Sequence, residues 1–352
     1  MNWDPVRDIR TRSGATSCGL AYPSGPDRFF VEEIPLYEPG GEGDHLYLTV
    51  EKRGIDTPEL LRRLAAAAGV DHRDIGWAGL KDRHAVARQR VSLPRRAAEP
   101  RLDALGDEDY TVLDCRPHRN KLRVGHLAGN RFRLLLDGRC DPETLAGRLR
   151  DLRTKGLPNY FGFQRFGAEG DNHQRGLRLL RRGGRLRGRR ARFLLSAYQA
   201  ALFNRVVDGR LEGLGELLPG DLAWIHAKGA IFRVEDPARE RARTEALAVS
   251  ASGPLPGRRE TRPAGPALDI EDRLLHAAGW EEPFRSRLTG GRRPLRVPVG
   301  ELESEAGTEG LRLAFTLPPG SYASVLLAEL GVATGGTAGA EAVEEDDAAP
   351  EA

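Results

Sequence analysis

The chain has 352 residues, which is enough for two ordinary domains that each bury a hydrophobic core. Its apolar fraction of 39% and charged fraction of 30% are typical of a soluble globular protein, and no apolar run is long enough to span a bilayer. Three widely spaced cysteines (Cys18, Cys115 and Cys140) indicate neither a disulfide framework nor a zinc site, and residues 1–14 contain no apolar signal-peptide core, so we expect a cytoplasmic protein.

The net charge of +3 understates how basic most of the chain is. Residues 331–352 contain no Lys or Arg and six acids, namely Glu341, Glu344, Glu345, Asp346, Asp347 and Glu351. Their composition predicts a disordered acidic tail over residues 335–352, and without these acids the remaining chain carries about +9. Arg outnumbers Lys and suits forked phosphate contacts, although a high-GC genome would also enrich Arg.

In the first third of the chain, a strand is predicted at residues 29–34. A second strand over residues 45–52 alternates apolar and polar side chains. Thr57 and Pro58 are predicted as the N-cap and first residue of a helix that ends at Gly69. Further predicted elements are strands over 110–113, 121–127 and 131–136 and a helix over 141–156. This pattern is a mixed α/β one with more strand than helix.

Residues 76–86, between the first helix and the later strands, are the centre of the interpretation. A short apolar run ends at Leu80 and gives way to Lys81, Asp82, Arg83 and His84. Gly76 and Gly79 allow another backbone or a ligand to approach closely. A carboxylate between two basic neighbours at a strand end can be held ionised at the rim of a pocket. A solvated turn is the alternative on local grounds.

Residues 158–167 contain four aromatic side chains and Arg165. Aromatic and Arg side chains in alternation can stack on bases and bind phosphates. An aromatic core anchor beside a turn explains the same pattern, and the sequence leaves both interpretations open.

Residues 175–192 are strongly basic. A charge run usually marks a solvated helix face, but a nearly single-sign run of this density favours contact with RNA or DNA. Its members are Arg175, Arg178, Arg181, Arg182, Arg185, Arg187, Arg189, Arg190 and Arg192. A helix is predicted next, over residues 193–211, and residues 251–266 are predicted to be a loop or linker.

The mixed α/β pattern of the first third returns near the end of the chain. Residues 311–317 alternate as a half-buried strand, residues 318–320 form a turn, and residues 321–330 a short helix. A closing strand after a stretch of different composition suggests that the middle of the chain is inserted into a discontinuous first domain.

Several sequence blocks occur in the order seen in TruD-type tRNA pseudouridine synthases, and residues 18–331 resemble that family. The blocks are Gly-Leu-Lys-Asp-Arg-His-Ala-Val at 79–86, Gly-Asn-Arg-Phe at 129–132, Pro-Asn-Tyr-Phe-Gly at 158–162 with Gln-Arg-Phe-Gly at 164–167, Leu-Ser-Ala at 195–197 with Leu-Phe-Asn at 202–204, and Pro-Gly-Ser-Tyr-Ala at 319–323.

The resemblance implies an α+β pseudouridine synthase fold, in which a catalytic domain around a mixed, largely antiparallel sheet is interrupted by an inserted α/β TRUD domain. The implied bounds are 1–157 and 308–334 for the catalytic domain and 158–307 for the insertion. The implied reaction isomerises a uridine of tRNA, in bacteria position 13, with no cofactor, metal or redox step. We expect a monomer that binds tRNA and does not bind a membrane. A tRNA-binding relative with little catalysis and a synthase for another RNA remain alternatives.

Site residues follow from the same resemblance. Asp82 matches the catalytic aspartate, acting as a nucleophile or as a base at the ribose. Lys81 would help to keep that carboxylate charged, Phe132 would stack on the uracil, Asn130 would orient the base or Asp82, and Tyr322 would line the same pocket. Core or turn structure is the alternative for the last three. RNA contacts are predicted for Arg83, Tyr160, Arg165, Arg182, Arg185, Arg189 and Arg190.

One position departs from the family pattern. Family members usually carry a Lys shortly before a Pro-Glu-Asp-Phe-like segment, and the corresponding position here is Pro23. Either another cation, such as Arg28 or Arg83, replaces that Lys, or activity is weakened.

Overall fold

The computed structural model describes residues 4, 9–12, 14, 16–23, 25–183 and 188–333. The predicted tail and Arg185 therefore lie outside the described residues. The chain divides into two compact units. The sheet unit comprises residues 21–139 and 301–319, and the helical unit comprises the described residues among 1–20, 140–300 and 320–333.

The strands of the described residues, in chain order, are β1 (Leu20–Ala21), β2 (Phe29–Pro35), β3 (His45–Lys52), β4 (Gly76–Trp77), β5 (Val86–Pro94), β6 (Tyr110–His118), β7 (Leu127–Gly138), β8 (Leu157–Pro158), β9 (Leu222–Ile225), β10 (Ala230–Arg233), β11 (Val249–Leu255), β12 (Gly291–Pro294), β13 (Arg296–Val297), β14 (Gly300–Gly307) and β15 (Gly310–Leu317).

The α-helices are α1 (Thr57–Ala68), α2 (Arg95–Ala98), α3 (Pro142–Lys155), α4 (Asn172–Arg182), α5 (Arg189–Gly209), α6 (Pro237–Glu245), α7 (Gly265–Ala277) and α8 (Ala323–Glu329). Short 3-10 helices occur at Pro26–Arg28, His72–Asp74, Glu99–Ala104, Phe163–Phe166 and Glu282–Arg287. In the described part of the chain, no helix combines the length and apolar character needed to cross a membrane.

The sheet unit is built on one large sheet with the strand order β14-β15-β7-β2-β5-β3-β6. β2 and β5 run parallel, whereas β2–β7, β3–β5, β3–β6 and β7–β15 are antiparallel. This confirms the predicted mixed, largely antiparallel sheet. The short strand β4 pairs with β5, and the chain after β4 carries Asp82.

Helix α1 covers one face of this sheet with the apolar stripe that the sequence predicted. Leu60, Leu61 and Leu64 are at most 1% exposed and belong to the same core as β3 and β5 side chains. The prediction of Thr57 as N-cap was wrong. Asp56 caps the helix, because its Oδ1 accepts the Glu59 N–H at 2.8 Å, and Thr57 is the first helical residue.

Two further predictions were wrong. Residues 121–126 form no strand, because the Leu122 N–H donates to Ser92 Oγ at 2.9 Å and the Gly125 N–H to Ala78 O at 2.8 Å, so their main-chain bonds leave the sheet register. Residues 251–255 are not a loop but part of β11. This strand pairs with both β9 and β12 in the second sheet, whose order is β10-β9-β11-β12.

The helical unit contains this four-stranded sheet and α3 to α8. Helix α5 contains most of the predicted 193–211 helix and is buried along much of its length. Helices α3 and α8, which the sequence interpretation assigned to the catalytic domain, belong to this unit, and the domain bounds stay a proposal.

Gly76 tests how closely the chain packs before Asp82. A Cβ at this position would lie 2.5 Å from Ser92 Oγ and closer still to Leu122 O. We expect Gly76→Ala to lower the free energy of unfolding of the sheet unit by about 1–3 kcal/mol, because overpacking forces the backbone to shift. Gly106→Ala is the control, since its nearest such atom, Tyr110 O, is 3.6 Å away. Equal urea midpoints for the two variants would contradict the prediction.

Candidate active site

Asp82 lies in the loop that leads from β4 to β5, at the edge of a buried region. Lys81 before it is 5% exposed, Asp82 is half-buried, and His84 after it is exposed. Asp82 Oδ1 accepts the His84 N–H at 2.9 Å, a local bond that fixes the direction of the carboxylate. Asp82 is thus a half-buried carboxylate beside a buried lysine, and the pocket around it stays a prediction.

The Lys81 ammonium group binds Glu33 of β2. Lys81 Nζ lies 3.1 Å from Glu33 Oε2, and the two side chains are 4% and 1% exposed. A Cβ on Gly79 would lie 3.3 Å from Lys81 Nζ, so the absence of a side chain there leaves room for this ion pair. Because the ammonium group is committed to Glu33, its predicted roles beside Asp82 and toward substrate stay predictions.

The main chain of residues 81 and 82 is fixed by two side chains that the sequence reasoning missed. Thr57 Oγ1 accepts the Lys81 N–H at 2.8 Å and donates to Gln89 Oε1 at 2.9 Å. Lys52 Nζ donates to Asp82 O at 2.7 Å. A Lys that ends an apolar alternating strand was the available signal for Lys52.

Asn130 and Phe132 lie on β7, directly beside β2. Asn130 is the register partner of Glu33, so it sits next to the strand position that holds Lys81. Its Oδ1 is buried and accepts no hydrogen bond from the described residues. An unsatisfied buried acceptor is costly, and the predicted role of Asn130 toward the base or Asp82 stays a prediction.

Phe132 belongs to an aromatic wall formed by Tyr22, Phe29, Phe132 and Phe315. Phe132 is 7% exposed and stacks on Phe315 with ring centroids 5.0 Å apart; the Phe29 ring lies 6.3 Å from Phe132. Tyr22 contacts Phe29 edge-on at 5.9 Å. Burial, and then the negative charge of Asp82, raise the pKa of the Tyr22 phenol.

Arg28, one of the cations predicted to replace the family Lys at Pro23, forms an ion pair with Asp137, and that role stays a prediction. Arg83 is exposed, and its role stays a prediction. The positively charged group that hydrogen bonds to the Asp82 main chain is Lys52.

The remaining predicted residues lie in the helical unit. Tyr322 precedes α8 and contacts Phe161 edge-on at 6.1 Å, and its place in the pocket stays a prediction. Tyr160 and Arg165 are only 1% and 4% exposed, and Arg165 donates to Ser196 Oγ at 2.8 Å. This burial fits the core-anchor alternative and does not support RNA contact by these two residues. Arg182, Arg189 and Arg190 are exposed at the end of α4 and the start of α5.

The buried Lys81–Glu33 pair can be tested by stability. Glu33→Gln leaves the Lys81 ammonium group buried without its counter-charge, and we expect the free energy of unfolding to fall by about 3–5 kcal/mol. The double variant Lys81→Met/Glu33→Leu should recover most of that loss. Glu38→Gln is the control: Glu38 pairs with Arg90 but is 69% exposed, so its removal should cost less than about 1 kcal/mol. Urea unfolding in which Glu33→Gln matches Glu38→Gln would contradict this account.

Comparison with known proteins agrees with these motifs. A family model described as tRNA pseudouridine synthase D (TruD) matches residues 15–186 and 184–330. The chain is 39% identical to tRNA pseudouridine synthase D of Geotalea daltonii, covering 89% of this chain and 96% of the relative. It is 44% identical to the Thermus thermophilus protein of that name, covering 87% and 86%.

The fold also has a solved counterpart. A crystal structure of the putative tRNA pseudouridine synthase D from Methanosarcina mazei aligns with a TM-score of 0.70 at 22% identity, covering 94% of this chain and 99% of that one. The family match spans nearly the whole described chain, and we conclude that the chain belongs to the TruD family.

Proposed function

We propose that this protein is a tRNA pseudouridine synthase, which isomerises a uridine of tRNA, at position 13, with Asp82 as the catalytic aspartate. The observation that carries the proposal is the Asp82 carboxylate itself. It stands at the rim of a buried region, on a main chain anchored by Lys52 and Thr57. Family membership supports the reaction class.

The reaction conserves all atoms of the nucleotide except for exchange of protons with solvent. The bond between uracil N1 and ribose C1′ breaks, the base turns, and a bond forms between C5 and C1′. The proton on C5 leaves, and N1 takes up a proton. Asp82 must be ionised whether it attacks as a nucleophile or removes a sugar proton, and nearby positive charge favours that form.

The uridine has to leave the base stack of the tRNA to reach Asp82. The accessible edge of Phe132 can contact the flipped base, and the unsatisfied Asn130 Oδ1 can accept its imide N–H. Together these contacts would orient uracil relative to the carboxylate. Side chains of this protein would make both contacts with the base.

Release of tritium from tRNA that carries C5-tritiated uridine tests the role of Asp82. We expect Asp82→Asn to lower the rate by at least about 10²–10⁴-fold, because an amide can neither attack nor accept the proton, while tRNA binding persists. Asp103→Asn, at an exposed acid of the same unit, should retain the wild-type rate. Tritium release by Asp82→Asn at the wild-type rate would refute the catalytic assignment. Wild-type binding without any release would instead favour a tRNA-binding relative.

The affinity for tRNA should fall steeply as salt is added, because phosphate contacts release counterions. We expect the double variant Arg182→Gln/Arg190→Gln to reduce the slope of log affinity against log salt by roughly 1 for each phosphate that the variant no longer neutralises. The charge-matched double variant Arg239→Gln/Arg241→Gln, on α6, should leave the slope unchanged. A flat salt response of the wild type, or equal slopes for the two double variants, would contradict an RNA contact at the basic segment.

A further inference from the structure

Lys52 is a buried cation at an interior position of the large sheet. It ends β3, where it pairs with Ala87 of β5 on one side and with Tyr110 of β6 on the other. It is 1% exposed and continues the strand face of Leu48 and Val50, which are both fully buried. Removing an ammonium group from water is unfavourable, so the groups that receive it are informative.

Two main-chain carbonyls accept hydrogen bonds from the Lys52 ammonium group. Nζ donates to Ile55 O at 2.6 Å and to Asp82 O at 2.7 Å. Ile55 directly precedes Asp56, the N-cap of α1, and α1 is packed in the core. Lys52 therefore joins the loop that carries Asp82 to the fixed start of a helix.

A second main-chain group of this loop is bound to the same end of α1. The Lys81 N–H donates to Thr57 Oγ1 at 2.8 Å, and Thr57 is the first residue of α1. The main chain is thus anchored on both sides of the peptide group that joins residues 81 and 82, at the N–H of residue 81 and at the carbonyl of residue 82. The backbone that carries the carboxylate has little freedom to move.

The charge of Lys52 acts on the same site. Burial lowers the pKa of Lys52 to about 8; the carboxylates of Asp82 and Asp56 oppose this shift, and the cations Lys81 and Arg83 add to it.

We propose that Lys52 is a positioning residue for the isomerisation, whose protonated ammonium group holds the main chain of Asp82 in place by joining it to the start of α1. The inference rests on the proposed function, since Lys52 acts through Asp82.

The first test compares Lys52→Met with wild type in the tritium-release assay. We expect kcat to fall roughly 100-fold, the size of effect that a small misplacement of a reacting group produces. KM should change little, because the tRNA-binding surface is untouched. Lys228→Met, at an exposed lysine between β9 and β10, controls for the loss of one positive charge and should match wild type. A kcat within about threefold of wild type for Lys52→Met would overturn the inference.

The pH dependence separates positioning from structural support. The wild-type kcat should decline above about pH 8 as Lys52 loses its proton, and Lys52→Met should lack this decline. The pKa of Lys52 is lower in the folded state than its ordinary 10.5, so the folded state binds this proton less well than the unfolded chain. Its contribution to stability therefore rises between about pH 8 and 10.5, while activity falls. If the wild type lost both activity and stability relative to Lys52→Met as the pH rose, the inference would be overturned.

A second variant covers a failure of Lys52→Met to fold. Lys52→Cys treated with 2-bromoethylamine regains an ammonium group at nearly the lysine length, and recovery of kcat supports the inference. Treated wild type controls for alkylation of the three native cysteines. A folded, alkylated protein without recovery overturns the inference. Asp82→Asn in the same assay separates the two proposals: if it is inactive while Lys52→Met is active, only the inference about Lys52 fails, and if it is active, both fail.

Discussion

The buried ammonium groups of Lys52 and Lys81 are the constraint on which the candidate site depends. Each is withdrawn from water, which is unfavourable unless a polar partner accepts its hydrogen bonds. Glu33 on β2 forms an ion pair with Lys81. The carbonyls of Ile55 and Asp82 accept hydrogen bonds from the Lys52 ammonium group. These bonds connect separate parts of the sheet unit to two consecutive residues, so the main chain at Asp82 is held by other elements of the unit, while the His84 N–H within the loop orients the carboxylate.

The sheet also explains why Asn130 and Phe132 accompany Asp82. β7 pairs with β2 in a register that sets Asn130 opposite Glu33 and Phe132 opposite Val31. Strand periodicity then directs alternate side chains of both strands to the same face. The unsatisfied amide oxygen of Asn130 and the stacked ring of Phe132 are thus placed by one strand pairing.

Much of this architecture could be predicted from local sequence patterns. The strands at 29–34, 45–52, 110–113, 131–136 and 311–317 were predicted, those at 45–52 and 311–317 from their alternation, and the apolar stripe after Thr57 identified α1. The false strand at 121–127 has apolar residues at Leu122, Val124 and Leu127, but its N–H groups bond outside the sheet. The missed strand β11 contains Pro254, a residue that usually breaks strands, at a position where β12 is its partner and β9 is not.

The contacts that define the site could not be predicted in this way. Lys52 and Asp82 are 30 residues apart, and Lys81 and Glu33 are 48 apart, so no local pattern relates them. Composition was equally ambiguous for the Arg-rich regions. Arg165 is buried over Phe161 and Phe193, and Arg175 and Arg181 form ion pairs with acids of their own unit, whereas Arg182 and Arg190 are exposed. Only the fold distinguishes an arginine that packs from one that is available to a phosphate.

The central claim is that this chain converts a defined uridine of tRNA. Pseudouridine mapping of a panel of unmodified tRNA transcripts, incubated with the wild-type protein, tests it most directly. The account predicts conversion at one uridine, position 13, in the transcripts that are substrates. Transcripts that bind the protein but contain no pseudouridine at any position would contradict it.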